Sequence, residues 1–243
     1  TETTPGNRGL DVRADSVVLA VGGAYGVTAT MLAELATQAP ATFILTGRTP
    51  LPDGPEPAAT HGIEDEASLR QALIAEARAA GAAPPPAHVE PILRNLLRQR
   101  NIRHTIAALS AAGARVEYHA VDGRDAGRLA AFLDALYARF GRLDLVIHAA
   151  GILHDGPLTS RPPDALAEVI ESKLIPAQVL AGSLRPETLR GLVFFSSAAA
   201  RFGNAFQADY AAANECLNKL AEALAGRWPH VTVKAINWGP LAG

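Results

Sequence analysis

One cysteine, Cys216, occurs in 243 residues. That excludes an intramolecular disulfide and any metal cluster built on cysteine thiolates; the thiol falls in an Ala-rich helical stretch, where a packed side chain is expected. Surplus charge is lacking too. The 22 Lys and Arg against 24 Asp and Glu leave a net charge of −2, so no general attraction to nucleic acid or to a membrane surface follows. No apolar run is long enough to span a bilayer and no signal peptide is visible, which makes the cytoplasm the expected compartment. His61 and His88 lack acidic partners at metal-ligand spacing, so no metal site is expected. There is no internal repeat.

What is present is apolar and finely divided. With 49% hydrophobic and 19% charged residues, the chain has material for one substantial α/β core rather than two large domains. Short apolar runs alternate with Ala- and Leu-rich helical stretches, the pattern of parallel strands joined by crossover helices. Strands are expected near Val17–Val21, Thr42–Leu45, Val116–Ala120, Leu145–His148, Leu192–Ser196 and Val231–Ile236, with helices near 27–38, 125–140, 164–182 and 209–227. The fold class is therefore a Rossmann-like, doubly wound parallel sheet with helices on both faces. Residues 1–15 read as a linker tail and 16–243 as the catalytic domain. Between Gly47 and Gly113 the interval is too long for a plain crossover. It should hold an insertion over about 50–112: an extended Pro-rich loop, a helix over Glu64–Ala80, a break at Pro84–Pro86 and a second helix over about Pro91–Ala112. Arg94, Arg98, Arg100, Arg103 and His104 on that second helix fit a basic surface for an acidic partner protein, and equally a solvated helix face.

The chemistry concentrates late in the chain. Ser197 and Tyr210 stand thirteen positions apart, one after an apolar strand and the other opening a helix, so hydroxyl and phenol can converge across the loop. A serine hydroxyl can hold a carbonyl oxygen while a phenol gives it a proton as hydride reaches carbon. A phenol with a pKa of about 10 needs a nearby cation to exchange protons at neutral pH, and Lys173 is a candidate.

Tyr-Ala-Ala-Ala-Asn at 210–214, preceded by Gln207 and Ser197, resembles the ketoreductase domains of polyketide and polyunsaturated-fatty-acid synthases, a branch of the short-chain dehydrogenase/reductases. Most of that superfamily carries lysine four residues after the tyrosine. In the synthase ketoreductases asparagine stands there and lysine lies on the preceding helix, as Asn214 and Lys173 do here, the lysine 24 residues before Ser197. The resemblance therefore implies a tetrad of Lys173, Ser197, Tyr210 and Asn214. It implies NADPH as cofactor, a β-ketoacyl chain on acyl carrier protein as substrate, and neighbouring synthase domains as partners.

Cofactor contacts follow the strand ends. Val21-Gly22-Gly23-Ala24-Tyr25-Gly26-Val27-Thr28 places glycines where a strand turns into a helix, letting backbone approach a pyrophosphate. It departs from Gly-x-Gly-x-x-Gly and resembles the looser turn of short-chain reductases through Gly22 and Gly26. Tyr25 takes the position where many ketoreductases carry a base. Arg48, followed by Thr49 after the second strand, offers a guanidinium to a 2′-phosphate, where an acid would select NAD. Asp122 and Gly123 fall at the family's adenine contact. His148-Ala149-Ala150-Gly151 resembles its Asn-Ala-Ala-Gly turn, His148 being either a contact or a structural histidine. Pro240 belongs to the segment that touches the nicotinamide end in the family.

Four residues are expected at the substrate: Asp155, Phe202, Phe206 and Gln207. Leu153-His154-Asp155 resembles the Leu-Asp-Asp of the class making the D-configured hydroxyl, and Phe202 replaces the tryptophan of the opposite class. Ala200 and Phe206 stand where relatives favour glycine. The family's lid helices and last strand follow the Asn237-Trp238-Gly239-Pro240 segment, so the chain is expected to be a piece of a multidomain synthase that stops before them. A free-standing reductase of small ketones and a silent, reductase-like scaffold domain are the alternatives.

Overall fold

The structure, a computed structural model, describes residues 10, 12–81 and 86–239. Six strands form one parallel sheet: β1 (Val17–Val21), β2 (Thr42–Gly47), β3 (Arg115–Ala120), β4 (Leu145–His148), β5 (Gly191–Ser197) and β6 (Thr232–Trp238), in the order β3-β2-β1-β4-β5-β6. Every residue of β1 and of β4 is buried. Strands covered on both faces read as continuous apolar runs, which is why these were legible without alternation. The connections are helical: α1 (Val27–Gln38), α2 (Glu66–Ala79), α3 (Pro86–Ala111), α4 (Ala126–Phe140), α5 (Pro163–Ser183), the short α6 (Ala199–Phe202) and α7 (Ala208–Arg227).

Side-chain alternation divides each strand between two cores. On one face Val18, Ala20, Phe43 and Leu45 meet Leu32 and Ala36 of α1 and Ile102 and Leu109 of α3. On the other, Leu19, Val21, Ile44, Val146 and Leu192 meet α4, α5 and α7. Leu129, Leu133 and Leu136 of α4 are spaced to share one helix face and are buried there. Each such leucine contributes about 1.5–3 kcal/mol by leaving water. The ends of α4 are local in origin: the Asp125 carboxylate accepts from the Arg128 amide at 2.9 Å, and Gly141, at φ 71°, stops the helix in the left-handed region.

The long interval between β2 and β3 holds the two expected helices, with one difference. Helix α3 starts at Pro86 and runs through Pro91. A proline so near a helix start removes only one backbone hydrogen bond and is tolerated. The first part of α3 packs against α2 in a small core of Leu69, Leu93 and Leu96. Its second part lies on the main sheet and serves as the β2–β3 crossover.

The basic stripe on α3 is not one open surface. Arg100 donates to both oxygens of Glu56 at 2.9 and 2.6 Å and to the carbonyls of Thr60 and Ile63 at 2.8 and 2.6 Å. Arg103 donates to Pro52 O at 3.2 Å, and Gln99 to Pro50 O at 3.1 Å. Thus Arg100 and Arg103 tie the Pro-rich loop to the helix, because a loop rich in proline has carbonyls to satisfy and few amides to satisfy them. Cys216 is a second difference: it is exposed on α7.

Candidate active site

The strand order reverses between β1 and β4: β1 leads away through α1 toward β2, and β4 through α5 toward β5. Diverging connections open a cleft beyond the carboxyl ends of these two strands, the usual ligand position in such sheets. A cavity of about 630 Å³ lies there, lined by Gly22, Tyr25, Gly26, Val27, Arg48, Thr49, Asp122, Gly123, Ala149, Ala150 and Gly151 among others. Pro240 lies outside the described residues.

The glycine turn fits a dinucleotide. A Cβ on Gly22, which has φ 81°, would sit 2.5 Å from Ala150 N, so only glycine lets the β1 and β4 turns approach this closely. A Cβ on Gly26 would meet nothing within 4 Å, and no side chain caps the first amides of α1. Free amides at a helix start, with a positive dipole end behind them, suit a pyrophosphate. Gly23 is not on the cavity wall. Its Cβ would lie 2.8 Å from Ala20 Cβ and 2.9 Å from Thr28 Cγ2, so it serves helix–strand packing.

Toward the other end of the cleft, Gly47 leaves room for Tyr118, whose hydroxyl donates to Thr49 O at 2.7 Å. Burial pushes the Tyr118 phenol up to about 12, so it stays neutral. Arg48 is half exposed, its Nη1 3.8 Å from Glu168. Asp122 accepts from the Arg124 guanidinium at 2.8 Å, and Arg124 also donates to Glu168 at 2.9 Å.

Lys173 projects from α5 into the space beneath Gly151 and is almost fully buried. Its Nζ donates to Phe195 O at 2.9 Å and lies 5.6 Å from the centre of the Tyr210 ring. Burial pushes its pKa down to about 8. A Cβ on Gly151 would fall 3.1 Å from that nitrogen, so the glycine makes room for it. Asn214, one turn after Tyr210 on α7, donates to Tyr210 O at 2.8 Å. Its Oδ1 is buried and has no hydrogen-bond partner among the described residues. Ser197 ends β5 and its Oγ accepts from the Ala199 amide at 3.2 Å, which leaves the hydroxyl proton free.

His148 falls one layer below the cavity wall. Its Nε2 lies 2.8 Å from Lys173 O, and because a carbonyl only accepts, this nitrogen carries the proton. Burial, reinforced by the Lys173 charge, pushes its pKa down to about 3. The neutral ring thus fixes the backbone of Lys173. It does not face the cleft.

The model of the KR domain family matches residues 16–243. The chain belongs to the KR-domain family. Over 246 aligned residues it is 31% identical to one of the polyunsaturated fatty acid synthase proteins of Thraustochytrium sp., covering 98% of the chain and 9% of that protein. It is 44% identical over 117 residues to a polyketide synthase of Streptomyces halstedii, covering 48% of the chain and 2% of that protein. An N-terminal ketoreductase from the macrolactin assembly line superposes with a TM-score of 0.71 at 24% identity, over 94% of the chain and 37% of that structure, a likeness of fold. The KR domain is thus a homologue of ketoreductase domains of oxidoreductase type that sit inside much longer multidomain synthases. Among the described residues no helix is long and apolar enough to cross a membrane, and no His, Cys, Asp or Glu group is placed to hold a metal.

Two loops frame the mouth of the KR domain's site. Gln207 donates to Asp155 at 2.9 Å and accepts from Asn204 at 2.9 Å, while the Gly156 amide donates to Phe206 O at 3.1 Å. A buried ion pair missed in the sequence, Arg161 with Asp209 at 2.8 Å, ties the first turn of α7 beside Tyr210 to the segment after Leu158–Ser160. Its partners are 48 residues apart, so no local pattern announces it. Ser172, whose hydroxyl accepts from Ile152 N at 3.1 Å, was missed for the same reason. Phe202 and Phe206 are 89% and 60% exposed, and Leu153 and Leu158 are exposed as well.

Phe206 has φ 66°, alone among the non-glycine residues described. The left-handed region costs a side chain-bearing residue roughly 1–2 kcal/mol, and an exposed ring returns little by packing. Phe206→Gly is therefore expected to raise stability by about 1 kcal/mol, or Tm by roughly 2–4 °C. A calorimetric scan showing a lower Tm would mean that Phe206 is held by contacts worth more than its strain.

Proposed function

We propose that the KR domain reduces the β-keto group of an acyl chain carried as a thioester on acyl carrier protein, using NADPH. The observation that carries this reading is the buried Lys173 ammonium 5.6 Å from the centre of the Tyr210 ring, with Asn214 bonded to Tyr210 O one turn along α7, in a chain of this family. When bound, NADPH supplies the hydride that reaches the β-carbon. Ser197 donates its free proton to the carbonyl oxygen and holds it. Tyr210 then gives that oxygen its own proton, so the ketone becomes a secondary alcohol. Lys173 places a cation beside the resulting phenolate. With two of its three Nζ protons not used by Phe195, it also has donors to pass a proton back from solvent. Asn214 anchors the Tyr210 turn and offers its unpaired Oδ1 to the same relay.

Arg48 supports the choice of NADPH, since a guanidinium forms charge-assisted bonds to a 2′-phosphate. Leu153, His154 and Asp155 support a D-configured product, and the exposed apolar side chains of Phe202, Phe206, Leu153 and Leu158 suit contact with an acyl chain. The relatives, being segments of long synthases, support neighbouring domains and a carrier protein as partners. The test is incubation of the domain with NADPH and β-ketoacyl thioesters, on acyl carrier protein and on a small thiol mimic. Cofactor oxidation with formation of a single β-hydroxyacyl enantiomer is expected, faster from the carrier protein. Binding of NADPH without any oxidation across the panel would favour a silent scaffold instead.

A further inference from the structure

Three arginines line the cleft: Arg48, Arg98 and Arg124. They are not equally available. Arg124 is committed to Asp122 and Glu168, and Arg48 shares the Glu168 carboxylate at 3.8 Å. Arg98 has no hydrogen bond or ion pair among the described residues, although it stands in the wall with Arg48, Thr49 and Pro50. A guanidinium exposed to a cleft and lacking any acid of its own is a ready anion ligand.

Its placement is built. Asn95, Arg98 and Ile102 recur at the spacing of one helix face, and all three line the cleft. That face of α3 is pinned at two points. The buried Thr105 hydroxyl lies 2.8 Å from Ala24 O in the glycine turn, and Ile102 is buried against the sheet. Beside Arg98, Gln99 donates to Pro50 O at 3.1 Å, which stitches the helix to the strand end that carries Arg48. The glycine turn itself presents Tyr25 and no cation.

We propose that Arg98 is a specificity-determining residue of the KR domain, a second guanidinium for the 2′-phosphate of NADPH, brought to the adenosine end of the cleft by α3. The inference rests on the NADPH reading above. A phosphate dianion is matched by the planar fork of arginine, which binds two oxygens at once where lysine offers a point charge. The pyrophosphate is common to NADH and NADPH and has its own place at the start of α1, so the two cofactors separate Arg98's role from general attraction.

The experiment is equilibrium titration of the KR domain with NADPH and with NADH, followed by cofactor fluorescence. The unaltered domain, Arg98→Ala and Arg98→Lys are compared, each checked by thermal denaturation. Because Arg98 is exposed and unpartnered, Tm should not move; Arg98→Gln, which keeps most of the stem, is the substitute if the alanine variant unfolds. The expected result is NADPH affinity lowered about tenfold or more in Arg98→Ala, an intermediate loss in Arg98→Lys, and NADH affinity within about twofold of the unaltered domain throughout. Raising salt should weaken NADPH binding more steeply in the unaltered domain than in Arg98→Ala. Equal loss for both cofactors, or loss for neither, overturns the assignment. If the unaltered domain prefers NADPH and Arg98→Ala keeps that preference, Arg98 alone is refuted and Arg48 suffices; if the unaltered domain binds both cofactors equally, the NADPH reading falls and this inference with it.

Discussion

Tyr210→Phe is expected to slow ketone reduction roughly 100-fold or more, the usual effect of removing a positioned general acid, and to leave NADPH binding within about twofold. The variant deletes one oxygen. The ring remains on α7, half-buried, with its backbone carbonyl still held by Asn214 at 2.8 Å and Lys173 Nζ still 5.6 Å from the ring centre. The cofactor cleft, walled by the glycine turn, the β2 end and the β4 turn, does not include Tyr210. Chemistry and binding should therefore separate. Single-turnover reduction of a β-ketoacyl thioester, paired with a fluorescence titration, measures both. A phenylalanine variant that turns over at a near-normal rate would remove Tyr210 from the role of proton donor, whatever the fate of the cofactor assignment.

The parts of this molecule that were legible in the sequence are those set by local pattern. Val17–Val21 and Leu145–His148 are buried on both faces, so their apolar runs announced central strands. Asp125 and Gly141 bracket α4 with a cap and a left-handed stop that can be read from residue types alone. Ser197 and Tyr210 are singled out by spacing, whereas Lys173 is only a candidate cation until the family resemblance assigns it, because a lone lysine in an amphipathic helix has no local mark of burial. What stayed hidden is what tertiary contact decides. The split of the α3 arginines is one case: Arg100 turns to the Glu56 loop and Arg98 to the cleft, although two positions along a helix look interchangeable in sequence. The Arg161–Asp209 pair is another, formed between a loop and the first turn of α7, which meet only when the sheet is assembled. Motif position leaves His148 open between a cofactor contact and a structural histidine, because only the assembled fold shows its buried ring at the end of β4 bonding to Lys173 O.

Lys173→Met is expected to make the KR domain more stable at pH 7 while lowering its activity on the order of 100-fold, because the tyrosine loses its cation. The stability half follows from linkage. Burial pushes the lysine down from its ordinary 10.5 to about 8, so the folded state carries a charge that it would rather release. Below about pH 8 both folded and unfolded chains hold that proton and the penalty is full, about 3 kcal/mol for a shift of this size. Between about pH 8 and 10.5 the unfolded chain binds more protons than the folded one, stability rises with pH, and above that window the penalty is gone. Methionine removes the charge, keeps an unbranched stem of similar length and fits the same space. It also deprives Phe195 O of a donor, a loss of about 1 kcal/mol. The net gain at pH 7 should be about 2 kcal/mol, shrinking toward zero or below as pH approaches 10.5. Urea unfolding of both proteins at pH 7 and pH 10 measures it. If the two stability curves run parallel across that range, Lys173 does not titrate within it on folding and its burial is not the source of a shifted pKa. If they converge as described, the domain maintains a buried cation at a real cost in stability, which is what a group kept for proton chemistry and not for packing should show.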